Sequence, residues 1–126
     1  MYKNLTITSF LGLLAVVLGA FGAHALREKL TPEAFQSFET AVRYQMFHVL
    51  VLLFINTFKD FSEKFKAQVS LLFFIGILFF SGSIYLIHIG GVSAKSIWFI
   101  TPLGGVFFIV GWFLLFIKFI KTFKNQ

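Results

Sequence analysis

Few side chains in this sequence can do chemistry, and their types narrow what that chemistry could be. There are three histidines, five carboxylates and no cysteine in 126 residues. Disulfides, thiolate ligation and cysteine nucleophiles are therefore excluded. Neutral imidazoles can bind a metal or serve as axial ligands to haem iron. His24 and His48 are the pair to consider, because the apolar pattern puts them on neighbouring helices. Arg43, Tyr44 and Gln45 would orient such a pair, and Tyr85 and His88 are further candidates for the same polar site. The competing role for these histidines is adhesive: an imidazole can hydrogen-bond across helices to Gln45, Tyr44 or a free carbonyl. The adhesive role is favoured, since no H-x₃-H or carboxylate-rich metal motif is present. Any metal would fall to His24 and His48, and no cofactor is expected. Arg43 is one turn from Glu39, so an i,i+4 ion pair with snorkelling to the membrane surface is the first reading. Receipt of an anionic headgroup or substrate is the second. Hydrolase chemistry has no foothold, for there is no G-x-S-x-G elbow, phosphate-cradling loop or zinc-protease pattern. No catalytic residue is assigned.

The elements that carry these residues follow from composition. The chain is 58% hydrophobic, 20% aromatic and only 13% charged, with a mean hydropathy of +0.88. A soluble domain is nearer 45–50% apolar and about 25% charged. A core of this size cannot hide the difference, so the chain is a membrane protein. Its net charge of +6 goes with lysines flanking apolar runs, which points to anionic lipid and not to nucleic acid. Leu5–Leu26, Tyr44–Phe58, Ala67–Ala94 and Ser96–Ile117 carry no formal charge. About 20 apolar residues cross a bilayer core. Three of these runs suffice alone. The second is lengthened by Thr31-Pro32-Glu33, which has the form of a helix start, and by Ala34, Phe35, Phe38, Ala41, Val42 and Met46 at helical spacing. The expected architecture is an all-α four-helix transmembrane bundle forming one domain over 1–126. Its spans are about 5–26, 44–58 extended N-terminally by helix 32–43, 67–89 and 97–117.

Four spans put both termini on one side of the membrane. Seven lysines (3, 59, 64, 66, 118, 121 and 124) lie there, against Arg27, Lys29, Arg43 and Lys95 on the other. The positive-inside bias then gives N-in and C-in. Lys3, the first apolar run and Ala23-His24-Ala25 have the outline of a signal peptide, but the run exceeds a signal's apolar core, and a retained helix is expected. Threaded this way, His24, Tyr44, Gln45, His48, Ser81, Ser83, Tyr85, His88 and Thr101 all fall toward the outer face. His48 lies roughly 7 Å deeper than Arg43 along its helix. The inner half reads as inert, Trp112 as core, and Tyr44, Tyr85 and Trp98 as an aromatic belt. Small residues permit close helix approach in lipid. Gly12, Ala15, Gly19, Gly22 and Ala23 mark a packing face on the first span, Gly76 on the third, and Gly104 and Gly111 on the fourth.

Certain segments are distinctive. GAFGAH at 19–24, Tyr44-Gln45-Met46-Phe47-His48, FSGSIY at 80–85, and TPLGG followed by GW across 101–112 together resemble the domain of unknown function 423 family. These are small four-span bacterial inner-membrane proteins, with a mitochondrial relative in transmembrane protein 256. The resemblance implies a multi-pass protein of the bacterial inner membrane, and it places His24 and His48, but not His88, inside family motif segments. The leading expectation for function is a structural or accessory membrane subunit without catalysis. Its partners would be the lipid bilayer and another membrane protein or a second copy of itself. The alternatives are a redox, haem or metal protein using a histidine pair near the outer leaflet, and a small-solute or lipid carrier acting as an oligomer.

Overall fold

The computed structural model describes residues 2–126. Four helices are long and apolar enough to cross a membrane: α1 (Tyr2–Leu26), α2 (Pro32–Thr57), α3 (Glu63–His88) and α4 (Ile100–Lys124). Loops 27–31 and 89–99 share one end of the bundle, called here the loop end. Loop 58–62 and both termini share the other, the terminal end. The described residues contain no strand, as the composition requires of a chain with no water available to satisfy an open sheet edge.

Local chemistry sets the helix starts. Thr31 Oγ1 accepts from the Ala34 N–H at 3.2 Å, with Pro32 in the first turn. Thus α2 runs unbroken from its amphipathic N-terminus into the span. Ser62 Oγ caps α3 in the same manner, accepting from the Phe65 N–H at 3.2 Å, so α3 begins four residues before the expected 67. By contrast, Thr101-Pro102 does not supply a cap: α4 begins at Ile100 and its preceding residue, Phe99, makes no side-chain bond. That helix also runs to Lys124, beyond the expected 117, because Lys118, Lys121 and Lys124 can stay helical while extending out of the apolar layer. After α3 the backbone reverses at Gly91, whose φ of +71° suits a residue without Cβ.

Glycines set how closely the helices pack. A Cβ on Gly12 would meet Val49, one on Gly19 would meet Val42, and one on Gly22 would meet Phe38. A step of seven along α1 is thus answered by a step of seven back along α2, an antiparallel heptad seam. The second seam is tighter and reciprocal. Gly76 of α3 receives the Phe108 ring of α4, and Gly111 of α4 receives the Phe73 ring of α3. Next along, Gly104 lies against the Phe80 backbone. The core around these contacts includes Leu52, Ile55, Val69, Phe73, Ile77, Phe108 and Leu115.

Two irregularities interrupt the pattern. Leu18–Gly22 in α1 and Ile77–Ser81 in α3 are single π-helical turns. Both lie against the same stretch of α2, since Gly19 and Gly22 face Val42 and Phe38, while Ser81 Oγ donates to the Ala41 carbonyl at 2.7 Å. A π turn inserts an extra residue and rotates the side chains beyond it. Here each turn reorients a helix near the loop end, where the polar residues gather.

Candidate functional site

The polar residues assemble around α2, which hydrogen-bonds to each of the other three helices. Gln45 is buried and occupied at both ends of its amide. Its Nε2 donates to the Leu11 carbonyl of α1 at 2.7 Å, and its Oε1 accepts from the Tyr85 hydroxyl of α3 at 2.7 Å. The Leu11 carbonyl lies within a helix, so this bond ties α1 laterally to α2.

His48 is fixed just as completely. The Trp112 indole N–H can only donate, and it reaches His48 Nε2 at 3.0 Å. Nε2 must therefore accept, which places the ring hydrogen on Nδ1. Nδ1 then donates to the Tyr44 carbonyl one turn back, at 2.6 Å. The imidazole is also stacked on Phe108 with centroids 3.7 Å apart, and meets Phe73 edge-on at 5.0 Å. The expectation of a bond across helices to Gln45, Tyr44 or a free carbonyl does not name Trp112, which lies 64 residues away, and the Tyr44 contact is a backbone one within the same helix. Trp112 was expected in the core; it is 46% exposed. Its nitrogen points inward while much of its ring faces outward, an arrangement suited to an amphipathic ring at a helix surface.

The other expected site residues are distributed differently. Tyr85 turns inward to Gln45 instead of joining an aromatic belt, and Tyr44 stacks on Phe80 at 4.9 Å. Ser83 and Thr101 share a short hydrogen bond linking α3 to α4. His88 ends α3 half-buried. His24 is exposed at the loop end, beside Arg27, Phe35 and Glu39. The two imidazoles singled out as a pair are not brought together. His48 is level with Gly12 of α1, whose neighbour is Val49, and His24 lies roughly 18 Å further along that helix. Arg43 also departs from expectation. Its guanidinium donates to Thr40 Oγ1 at 3.2 Å, and among the described residues the one ion pair is Lys66–Glu63. Surface pairs four residues apart gain little, so a neutral hydroxyl one turn away competes effectively.

The terminal half is less inert than expected. Asn56 is buried and donates to Ser70 Oγ at 2.8 Å, while its Oδ1 accepts from Asn4 Nδ2 at 3.1 Å. This links α1, α2 and α3 in a second polar layer. Beside it, Lys66 is itself buried although its partner Glu63 is exposed. The signal for this layer was present in Asn4 and Asn56 as amides at span ends, but uncharged amides do not register in a search for ionisable groups. Among the described residues, no group of three or more His, Asp or Glu side chains could hold a metal.

Comparison with known proteins agrees with this architecture. The family described as a protein of unknown function, DUF423, matches residues 18–105. A UPF0382 membrane protein of Staphylococcus saprophyticus is 44% identical over 89% of this chain and 89% of its own length. The UPF0382 membrane protein YwdK of Bacillus subtilis is 39% identical over 86% of this chain and 89% of that protein. The UPF0382 inner membrane protein YgdD of Escherichia coli is 32% identical over 87% and 83% respectively. No solved structure matches the chain. With the family matched from the first π turn through the Gly104 crossing, and its relatives named as membrane proteins, this four-span chain belongs to the DUF423 family of membrane proteins.

Proposed function

We propose that the protein is a non-catalytic structural or accessory subunit of the bacterial inner membrane, oriented N-in and C-in. The observation that carries this reading is the closure of its polar interior. Among the described residues, no buried side-chain nitrogen or oxygen lacks a hydrogen-bond partner within the chain. A site awaiting a ligand holds polar groups in reserve for it, because an unmade bond in a low-dielectric interior is costly. Here both ends of the Gln45 amide and Nε2 of His48 are spent on other helices, and Nδ1 of His48 on the Tyr44 carbonyl of its own helix. Polar layers of this kind fasten helices to one another in lipid. Orientation rests on the lysine excess at the terminal end. The inner membrane follows the printed name of the Escherichia coli relative. A rigid bundle with an apolar exterior is suited to lie against another membrane protein.

Absorption spectroscopy and elemental analysis of protein extracted in a mild detergent test the reading. The expected outcome is no Soret band and no stoichiometric metal, with His48→Ala lowering the melting temperature. A haem spectrum or one metal per chain that His48→Ala removes would overturn it.

A further inference from the structure

One charged cluster is left unused by the polar interior. At the loop end, two adjoining cavities of about 110 and 270 Å³ lie between α1 and α2. Ala23 and Glu39 line both. His24 and Arg27 complete the cavity nearer the loop, and Arg43 the one nearer the membrane centre. Gly19 and Ala23 make room, because side chains larger than these would fill the space that the cavities occupy. Glu39 is half-buried and, among the described residues, takes part in no ion pair. Arg43 spends one nitrogen on Thr40, leaving other donors of its five-donor fork.

The order of these charges along α2 is informative. Glu39 and Arg43 are one helical turn apart, and α2 enters the membrane from its N-terminal end whichever way the protein is oriented. The carboxylate is therefore the outer charge and the guanidinium the inner one. An ethanolamine phospholipid presents the complementary order: its ammonium is outermost and its phosphate lies deeper, next to the glycerol. We propose that this cleft binds the head group of an ethanolamine phospholipid. The phosphate accepts hydrogen bonds from Arg43, and the primary ammonium donates to Glu39, with His24 and Arg27 closing the rim. Guanidinium suits phosphate because its planar fork matches two oxygens at once. A phosphoglycerol head group offers Glu39 no cation, and a choline head group offers it no N–H. The site is separate from the His48 layer and does not depend on the role proposed for that layer.

Thermal-shift titration of the purified full chain in detergent micelles tests this, using ethanolamine, choline and glycerol phospholipids of identical acyl chains. The ethanolamine lipid should bind about tenfold tighter than the glycerol lipid, the size expected for one charge-assisted hydrogen bond. Glu39→Gln should reduce that ratio to near one, Arg43→Gln should weaken all three lipids, and Lys29→Gln should change nothing. Native mass spectrometry of co-purified lipid supplies a readout independent of melting. Equal affinity for the ethanolamine and glycerol lipids in the unmodified chain would overturn the proposal, as would a Glu39→Gln chain that keeps the preference. Soluble phosphoethanolamine and inorganic phosphate form the last arm. Saturation by either at the lipid's concentration would overturn a lipid ligand in favour of a free phosphate compound.

Discussion

At the residue scale, His48 shows how a chemically versatile side chain is committed to structure. Its Nε2 accepts from Trp112, its Nδ1 donates to the Tyr44 carbonyl, and its ring faces lie among Phe73 and Phe108. Interhelical hydrogen bonds in membranes contribute modestly, because a partner is also found in the less ordered state. A double-mutant cycle with His48→Phe and Trp112→Phe should accordingly give a coupling of about 0.6 kcal/mol, and under about 2 kcal/mol. Unfolding in mixed micelles would measure it, and strictly additive effects would show that the bond contributes nothing. That His48 and Gln45 matter was legible from their types, since a polar group at such depth must be paired. Which groups pair with them was not. Trp112 and Tyr85 lie 64 and 40 residues away, and no local spacing encodes so distant a partner.

At the scale of elements, the α3–α4 seam is the most constrained part of the molecule. A Cβ at Gly104 would run into the backbone around Phe80, whereas one at Gly105 would meet nothing within contact distance. Gly104→Ala should destabilise by about 2 kcal/mol or more, since backbone cannot rotate aside as a side chain can. Gly105→Ala should stay within about 0.5 kcal/mol of the parent. Melting of the two variants side by side checks this, and similar losses would indicate that helix flexibility, not close approach, explains the glycine. Both glycines sit in one TPLGG motif and look equivalent in sequence. Only the direction each faces separates them, and that direction depends on the neighbouring helix. By contrast, the α2 start at Thr31-Pro32 was legible, because a cap is a local geometry completed within three residues.

For the whole molecule, α2 is the organising element. It hydrogen-bonds to α1 through Gln45 and Asn56, to α3 through Ala41, Gln45 and Asn56, and to α4 through His48. The first helix is the most peripheral, with Thr8 and Ala15 its buried residues among those of Tyr2–Val17. Orientation belongs to this scale, since it follows from charge summed over all connections. The chain lacks cysteine, so single-cysteine labelling is direct. Asp60→Cys and Ser93→Cys place thiols at exposed positions on opposite ends of the bundle. In intact cells, a membrane-impermeant maleimide should label Ser93→Cys and spare Asp60→Cys. The reverse pattern would invert the proposed N-in, C-in arrangement.

The sequence by itself determined the solvent, the number of spans and the start of α2. These follow from contiguous residues: apolar length against bilayer thickness, and a cap completed within one turn. Its scarcity of charge, 13% of residues, also marked the depth of the histidines and arginines, while the amides of the terminal end went unread. Tertiary structure alone decided which of those groups meet. It separated His24 from His48, gave Gln45 and His48 partners on every side, revealed the Asn4–Asn56–Ser70 layer, and left Glu39 and Arg43 lining cavities of their own. The physical reason is that depth along a helix is additive in residue number. Rotation about its axis is not: π turns at Leu18–Gly22 and Ile77–Ser81 reset the facing of everything beyond them, and partner choice depends on that facing.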